Sequence, residues 1–118
     1  MKAKYHLGMS LGFNSSAALV DNKGRLVRAV SEERLIREKN TKRIPIHAIL
    51  LVVRGNSGVS NVLNYSNYDT LNKEYFAKYE PGWLYDDDMS AEQNLLDFVN
   101  THCHTSFIQA RRVDHHTA

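Results

Sequence analysis

Three places along the chain gather side chains able to do chemistry. The first is Gly12-Phe13-Asn14-Ser15-Ser16, set between two apolar stretches. Small residues there leave backbone N–H groups open and add amide and hydroxyl donors, a combination that can hold phosphate or similar oxygens. An ordinary β-turn has the same composition. The second place is the basic segment with Arg34, Arg37 and Lys39, flanked by Glu32 and Glu33. These cations can pair with an anionic ligand while the carboxylates orient them; the alternative is a set of surface ion pairs. The third is histidine. His102 and His104 flank Cys103, and His115 and His116 stand together further on. Contiguous ligands do not suit usual metal sites, so no metal is expected at 102–104. Adjacent histidines on a helix point about 100° apart, so His115 and His116 would not share a metal there; a pair of polar residues at a frayed terminus is the other reading.

Simple elements must position these groups. Tyr5 to Leu11 is mostly apolar and predicts a buried strand. Ala17 to Asp21 predicts a second strand, Asp21-Asn22-Lys23-Gly24 a hairpin turn, and Arg25 to Ser31 a third, alternating strand. The opening is therefore an antiparallel three-strand meander. A basic loop follows. Pro45 then stands where a helix begins, at N1. Ile46, Ile49, Leu50 and Val53 share one helical face, and Gly55 suits the C′ position. Further on, Val59 to Tyr65 predicts a strand and Thr70 to Tyr79 a helix stopped by Pro81-Gly82. Asp86-Asp87-Asp88 is a solvated turn ahead of a last helix. Ser90 with Gln93 has the capping-box form, and Leu95, Phe98, Val99 and His102 mark that helix's inner face. Thr105 to Ala110 predicts a strand. A meander followed by alternating helices and strands is an α/β fold, and residues 1–118 read as one incomplete lobe.

Composition narrows the classes. The 118 residues are 42% apolar, enough for a core and outside the disordered class. No run approaches the roughly 18 apolar residues of a membrane span, and no signal-peptide pattern follows Lys2 and Lys4. With a single cysteine, Cys103, no internal disulfide can form, and a cytoplasmic protein is the expectation. Net charge is +2 but uneven: residues 1–54 hold eleven Lys/Arg against four Asp/Glu, residues 55–118 four against nine. The basic segment Arg34 to Arg43 has no aromatic interleaving, which disfavours nucleic acid as a partner. No Gly-x-x-x-x-Gly-Lys phosphate loop is present.

Two segments go further. Gly12 to Val20, Ser31-Glu32-Glu33-Arg34 with Lys39, and Arg43-Ile44-Pro45 follow one another in an order that resembles the N-terminal region of O-carbamoyltransferases of the nodulation and antibiotic-tailoring type. The second segment, Val113 to Ala118, resembles that family's His-His-x-x-His stretch. The likeness runs from Leu7 to about Ile49, fades from Asn56 to Gln109, and returns in the last six residues. It implies a partial actin-like ATPase (ribonuclease H-like) lobe, a fold that usually carries five strands. Such enzymes use carbamoyl phosphate, with ATP as co-substrate, to make a carbamoyl-adenylate, and pass the carbamoyl group to a small-molecule hydroxyl. Their transfer site holds a divalent metal, usually taken as iron, through a His-x-x-x-His pair and a distant Asp.

Carried over, the resemblance makes Asn14, Ser15, Ser16, Arg34 and Lys39 substrate-binding residues and His115 a metal ligand. The second histidine of the pair would be residue 119, and the Asp ligand and the adenylate-forming domain are also missing from these residues, so the chain is expected to be inactive alone. The family's loop often has an acidic residue after a histidine; here those positions are Phe13 and Asn14, and Asn14 can only hydrogen-bond. The sugar kinases of the same superfamily place an Asp near the end of the first strand, where this chain has Ser10; a kinase is disfavoured. The other reading is a non-catalytic binding module of the same ancestry, with a partner subunit or a second copy docked on an exposed apolar face.

Overall fold

The computed structural model describes residues 3–12, 14–67 and 70–113. The sequence dictates the meander as expected: β1 (Tyr5–Leu11), β2 (Ser16–Asp21) and β3 (Leu26–Ser31) pair antiparallel in turn. Asp21 shapes the β2–β3 hairpin, its Oδ1 accepting from the backbone N–H of Lys23 and of Arg25, both at 2.9 Å. Donation from the Arg25 N–H is the main cause that holds its carboxyl below the ordinary value. Gly24 supplies the left-handed backbone, at φ 80°, that this turn needs.

The chain then crosses to the other side of β1. Here β4 (Val59–Asn67) lies parallel to β1, and β5 (Gln109–Arg112) lies parallel to β4. The result is one mixed sheet of order β3-β2-β1-β4-β5.

The connections depart from the sequence reading in four places. The expected basic loop after β3 contains a short helix, α1 (Glu32–Ile36), which ends at Arg37 in a left-handed conformation. Pro45 is the cap of α2 (Ile46–Val53) rather than its first residue. The helix expected from Thr70 starts later, as α3 (Lys73–Tyr79), because the Asn72 side chain accepts from Tyr75 N–H at 3.0 Å and caps it there. The last strand begins at Gln109 rather than Thr105, because Asn100 ties down the approach: its Oδ1 accepts from Thr105 Oγ1 at 2.8 Å and from Phe107 N–H at 3.0 Å. By contrast, α4 (Ala91–Cys103) starts where Ser90 predicts, with Ser90 Oγ accepting from Gln93 N–H at 3.1 Å. The Gln93 side chain turns to Asp97 instead of back to the cap, so half of the capping box forms.

Alternation in the strands decides the layers. Leu7, Met9, Leu11, Ala17, Leu19, Leu63, Tyr65 and Ala110 are buried on one face of the sheet. They share one core with Ile49 and Val52 of α2, Phe76 of α3, and Leu95 and Val99 of α4. Each Leu, Ile, Val, Met or Phe among them contributes about 1.5–3 kcal/mol on burial. The alternate residues His6, Gly8, Ser10, Ala18 and Asn64 are only half-buried. A Cβ placed on Gly8 would meet nothing within 4 Å. Among the described residues, then, the helices cover one face of the sheet. None of these helices is long and apolar enough to cross a membrane.

Candidate functional site

Strand order marks one crevice. From the carboxyl end of β1 the chain turns left, into β2; from the same end of β4 it turns right, towards α3 and β5. Adjacent parallel strands whose connections part in this way leave a gap at their carboxyl ends, the usual ligand position in open α/β sheets. Leu11 pairs with Asn67 at that edge. The polar turn singled out from sequence hangs directly from it.

Gly12, at φ 92°, and Asn14, at φ 58°, turn the chain there. Ser15 is fully buried and serves the shape of the loop. Its hydroxyl donates to the Gly12 carbonyl at 3.2 Å, and its N–H donates to the Thr41 carbonyl at 3.0 Å. Ser15 in turn accepts at its carbonyl from Glu32 N–H at 2.9 Å. Ser16 opens β2, paired with Ser10 and Ser31. Asn14 is different: its Oδ1 is buried and accepts no hydrogen bond from a described residue. A buried acceptor left unmet costs about 1–3 kcal/mol, so this oxygen asks for a donor the described residues do not supply.

Beside the loop, at the carboxyl ends of β4 and β5, lies a cavity of about 260 Å³ lined by Tyr65, Asn67, Thr70, Glu92 and Arg112. Burial pushes the Tyr65 phenol up, and its hydrogen bond to the Glu92 carboxylate adds to this. Arg112 is exposed and pairs in register with Tyr65. Tyr65 pairs in turn with Met9, so Arg112 stands two strand spacings, about 10 Å, from the β1 strand that leads into the polar turn. Sequence reasoning missed Tyr65, Asn67, Glu92 and Arg112. Only the strand ends mark them, and the end of β5 was placed two residues too early.

The structure does not gather all the expected residues. Arg34, on α1, and Lys39, after it, are exposed, and among the described residues neither forms an ion pair. What this segment brings to the loop is backbone, from Glu32 and Thr41. Glu32 does not orient the neighbouring cations either. It is 2% exposed and turned inward, where Oε1 accepts from Ala48 N–H at 2.8 Å and Oε2 from His47 N–H at 3.3 Å and His47 Nδ1 at 2.7 Å. Its carboxylate closes the amino end of α2, where negative charge is favoured.

His115 and His116 lie outside the described residues. Among those that are described, no three His, Cys, Asp or Glu side chains converge as a metal site. At 102–104 the three side chains part: His102 is exposed with its ring tilted against Phe98, centroids 4.3 Å apart, Cys103 is buried with Sγ 3.8 Å from the Ile46 carbonyl, and His104 is the left-handed cap of α4. His102 thus sits at the rim of the helix face and not on its inner side. No known protein-family model matches the chain, and no curated protein matches it.

Proposed function

We propose that this chain is the first lobe of an actin-like ATPase fold and carries part of the donor site of a carbamoyltransferase. In this reading the whole enzyme moves a carbamoyl group from carbamoyl phosphate, by way of a carbamoyl-adenylate made with ATP, to a small-molecule hydroxyl. The five-strand sheet opening with a meander supports the lobe. The Asn14 Oδ1 at the strand-order crevice, unmet by any described residue, carries the site. A carbamoyl NH2 is a donor of the right kind for that oxygen, and Arg112 offers the phosphate a cation across the crevice. Asn14 and Arg112 would bind and orient the donor without taking a proton from it. The metal of the resemblance belongs to His115; bound there, it would polarise a carbonyl or steady a developing oxyanion.

Titration calorimetry with fresh carbamoyl phosphate tests the site. Saturable binding is expected, weakened about tenfold, or about 1.4 kcal/mol, by Asn14→Ala and again by Arg112→Ala. A folded chain that binds no carbamoyl phosphate, or an Asn14→Ala variant that binds it equally well, removes the reading. A second reading is a non-catalytic binding module of the same ancestry. The helix-free sheet face and the exposed Leu26 and Val27 on edge strand β3 favour it.

A further inference from the structure

On the helix side, two cavities of about 500 Å³ and 300 Å³ share the side chains of Arg43, Glu80, Phe98 and His102. Together they form a cleft between α1, the start of α2, the end of α3 and α4. We propose that this cleft binds a small organic cation, an ammonium group on an apolar body, with Glu80 as its anchor. The inference stands apart from the carbamoyl reading and uses none of its residues.

Glu80 is 8% exposed and lines both cavities. Its Oε1 accepts from Ile44 N–H at 2.6 Å. Arg43 acts on it from across the cleft, but its close ion pair is with Glu38. Arg43 Nε is 3.1 Å from Glu38 Oε2, and Glu32 is occupied by the amino end of α2. One cavity wall is aromatic: the Phe98 ring lies 4.3 Å from His102 and 5.0 Å from Trp83. Ile44, Ile46 and Leu50 complete an apolar side. A carboxyl group that lines the cleft beside ring faces and aliphatic side chains suits an ammonium group carrying a hydrocarbon.

Burial raises the Glu80 carboxyl to about 7. An ammonium partner draws it into its ionised form, so affinity rises with pH between about 6 and 8. The charged and titratable groups facing Glu80 are Glu32, Glu38 and Arg43 from the 32–43 segment, His47 of α2 and His102 of α4.

The test is a chemical-shift titration of the whole chain with 2-phenylethylamine, 2-phenylethanol and phenylacetate. The amine is expected to shift the amides of Ile44, Phe98 and His102. The alcohol should bind at least tenfold more weakly, and phenylacetate should leave those amides unmoved. Glu80→Gln should cost the amine about tenfold in affinity and leave the alcohol unchanged. His102→Ala, at an exposed position, keeps the proposal testable if Glu80→Gln does not fold, and should weaken the amine severalfold. Equal binding of amine and alcohol, shifts elsewhere, unchanged amine affinity in the variants, or no binding by any probe would overturn the proposal.

Discussion

Two buried glutamates lining one cavity, Glu32 and Glu80, have opposite environments. Glu32 is surrounded by donors: two N–H groups of α2 and the His47 ring meet its oxygens. Glu32→Ala strips the start of α2 of its acceptor and leaves those N–H groups buried, at a cost of about 2–4 kcal/mol. Urea denaturation should show the midpoint falling accordingly, and a loss under about 0.5 kcal/mol would mean that water replaces the carboxylate. Glu80 has one backbone donor, and its burial raises the carboxyl to about 7 from an ordinary 4.5. The folded protein therefore holds a proton in this window that the unfolded chain releases. Its stabilising contribution is full below about pH 4.5, declines as pH rises to about 7, and is flat beyond; the total is about 3 kcal/mol. Glu80→Gln lacks that titration, so the stability difference between wild type and variant should change across this window. A constant difference in urea midpoints from pH 4.5 to 7.5 would contradict it. Burial likewise raises the Cys103 thiol to about 12. It should resist thiol reagents in the native state and react on unfolding, and rapid native labelling would disprove that burial.

At the scale of elements, the fold relies on asparagines that staple turns to helices. Asn94, 1% exposed on α4, holds the whole 86–90 turn: Oδ1 accepts from Asp86 N–H at 2.9 Å, and Nδ2 donates to the carbonyls of Asp86 at 3.0 Å and Ser90 at 2.9 Å. Asn94→Ala orphans these groups and should lower stability by about 2–3 kcal/mol, while Ser90→Ala, which removes only a cap, should cost about 1 kcal/mol. Thermal unfolding of the two variants distinguishes them, and an inverted order would show that the turn is held by something else. Sequence made one kind of element legible and hid the other. Strands β1 to β4, the hairpin at Asp21 and the cap at Ser90 follow from alternation and local side-chain reach, which act over a few residues. What Asn94 and Glu32 do depends on partners up to eight and sixteen residues away. A polar residue inside an apolar stripe gives no hint of which backbone groups it will meet. For the same reason the turn marks Asn14 as a candidate from sequence alone, while nothing local marks Arg112. It became visible only when β5 was placed beside β4.

For the molecule as a whole, β1 is the centre. It is bonded along one side to β2 and along the other to β4, and its inward residues Leu7 and Leu11 have no exposure. The sheet ends instead at β3, where Leu26 is 65% exposed, and at β5, four residues long. In deuterated water the amides of β1 should therefore be the last to exchange, near the global unfolding free energy, and those of β3 and β5 orders of magnitude faster. Exchange of β1 at edge-strand rates would refute this. Such a gradient has a consequence for the polar loop. Gly12 and Asn14 extend from the end of the slowest-exchanging strand, so local opening elsewhere in the sheet need not disturb them. A ligand held there would slow exchange most in β1, whose amides exchange only through the global opening that also destroys the site, and least at the edges, whose local opening leaves the turn and its ligand in place.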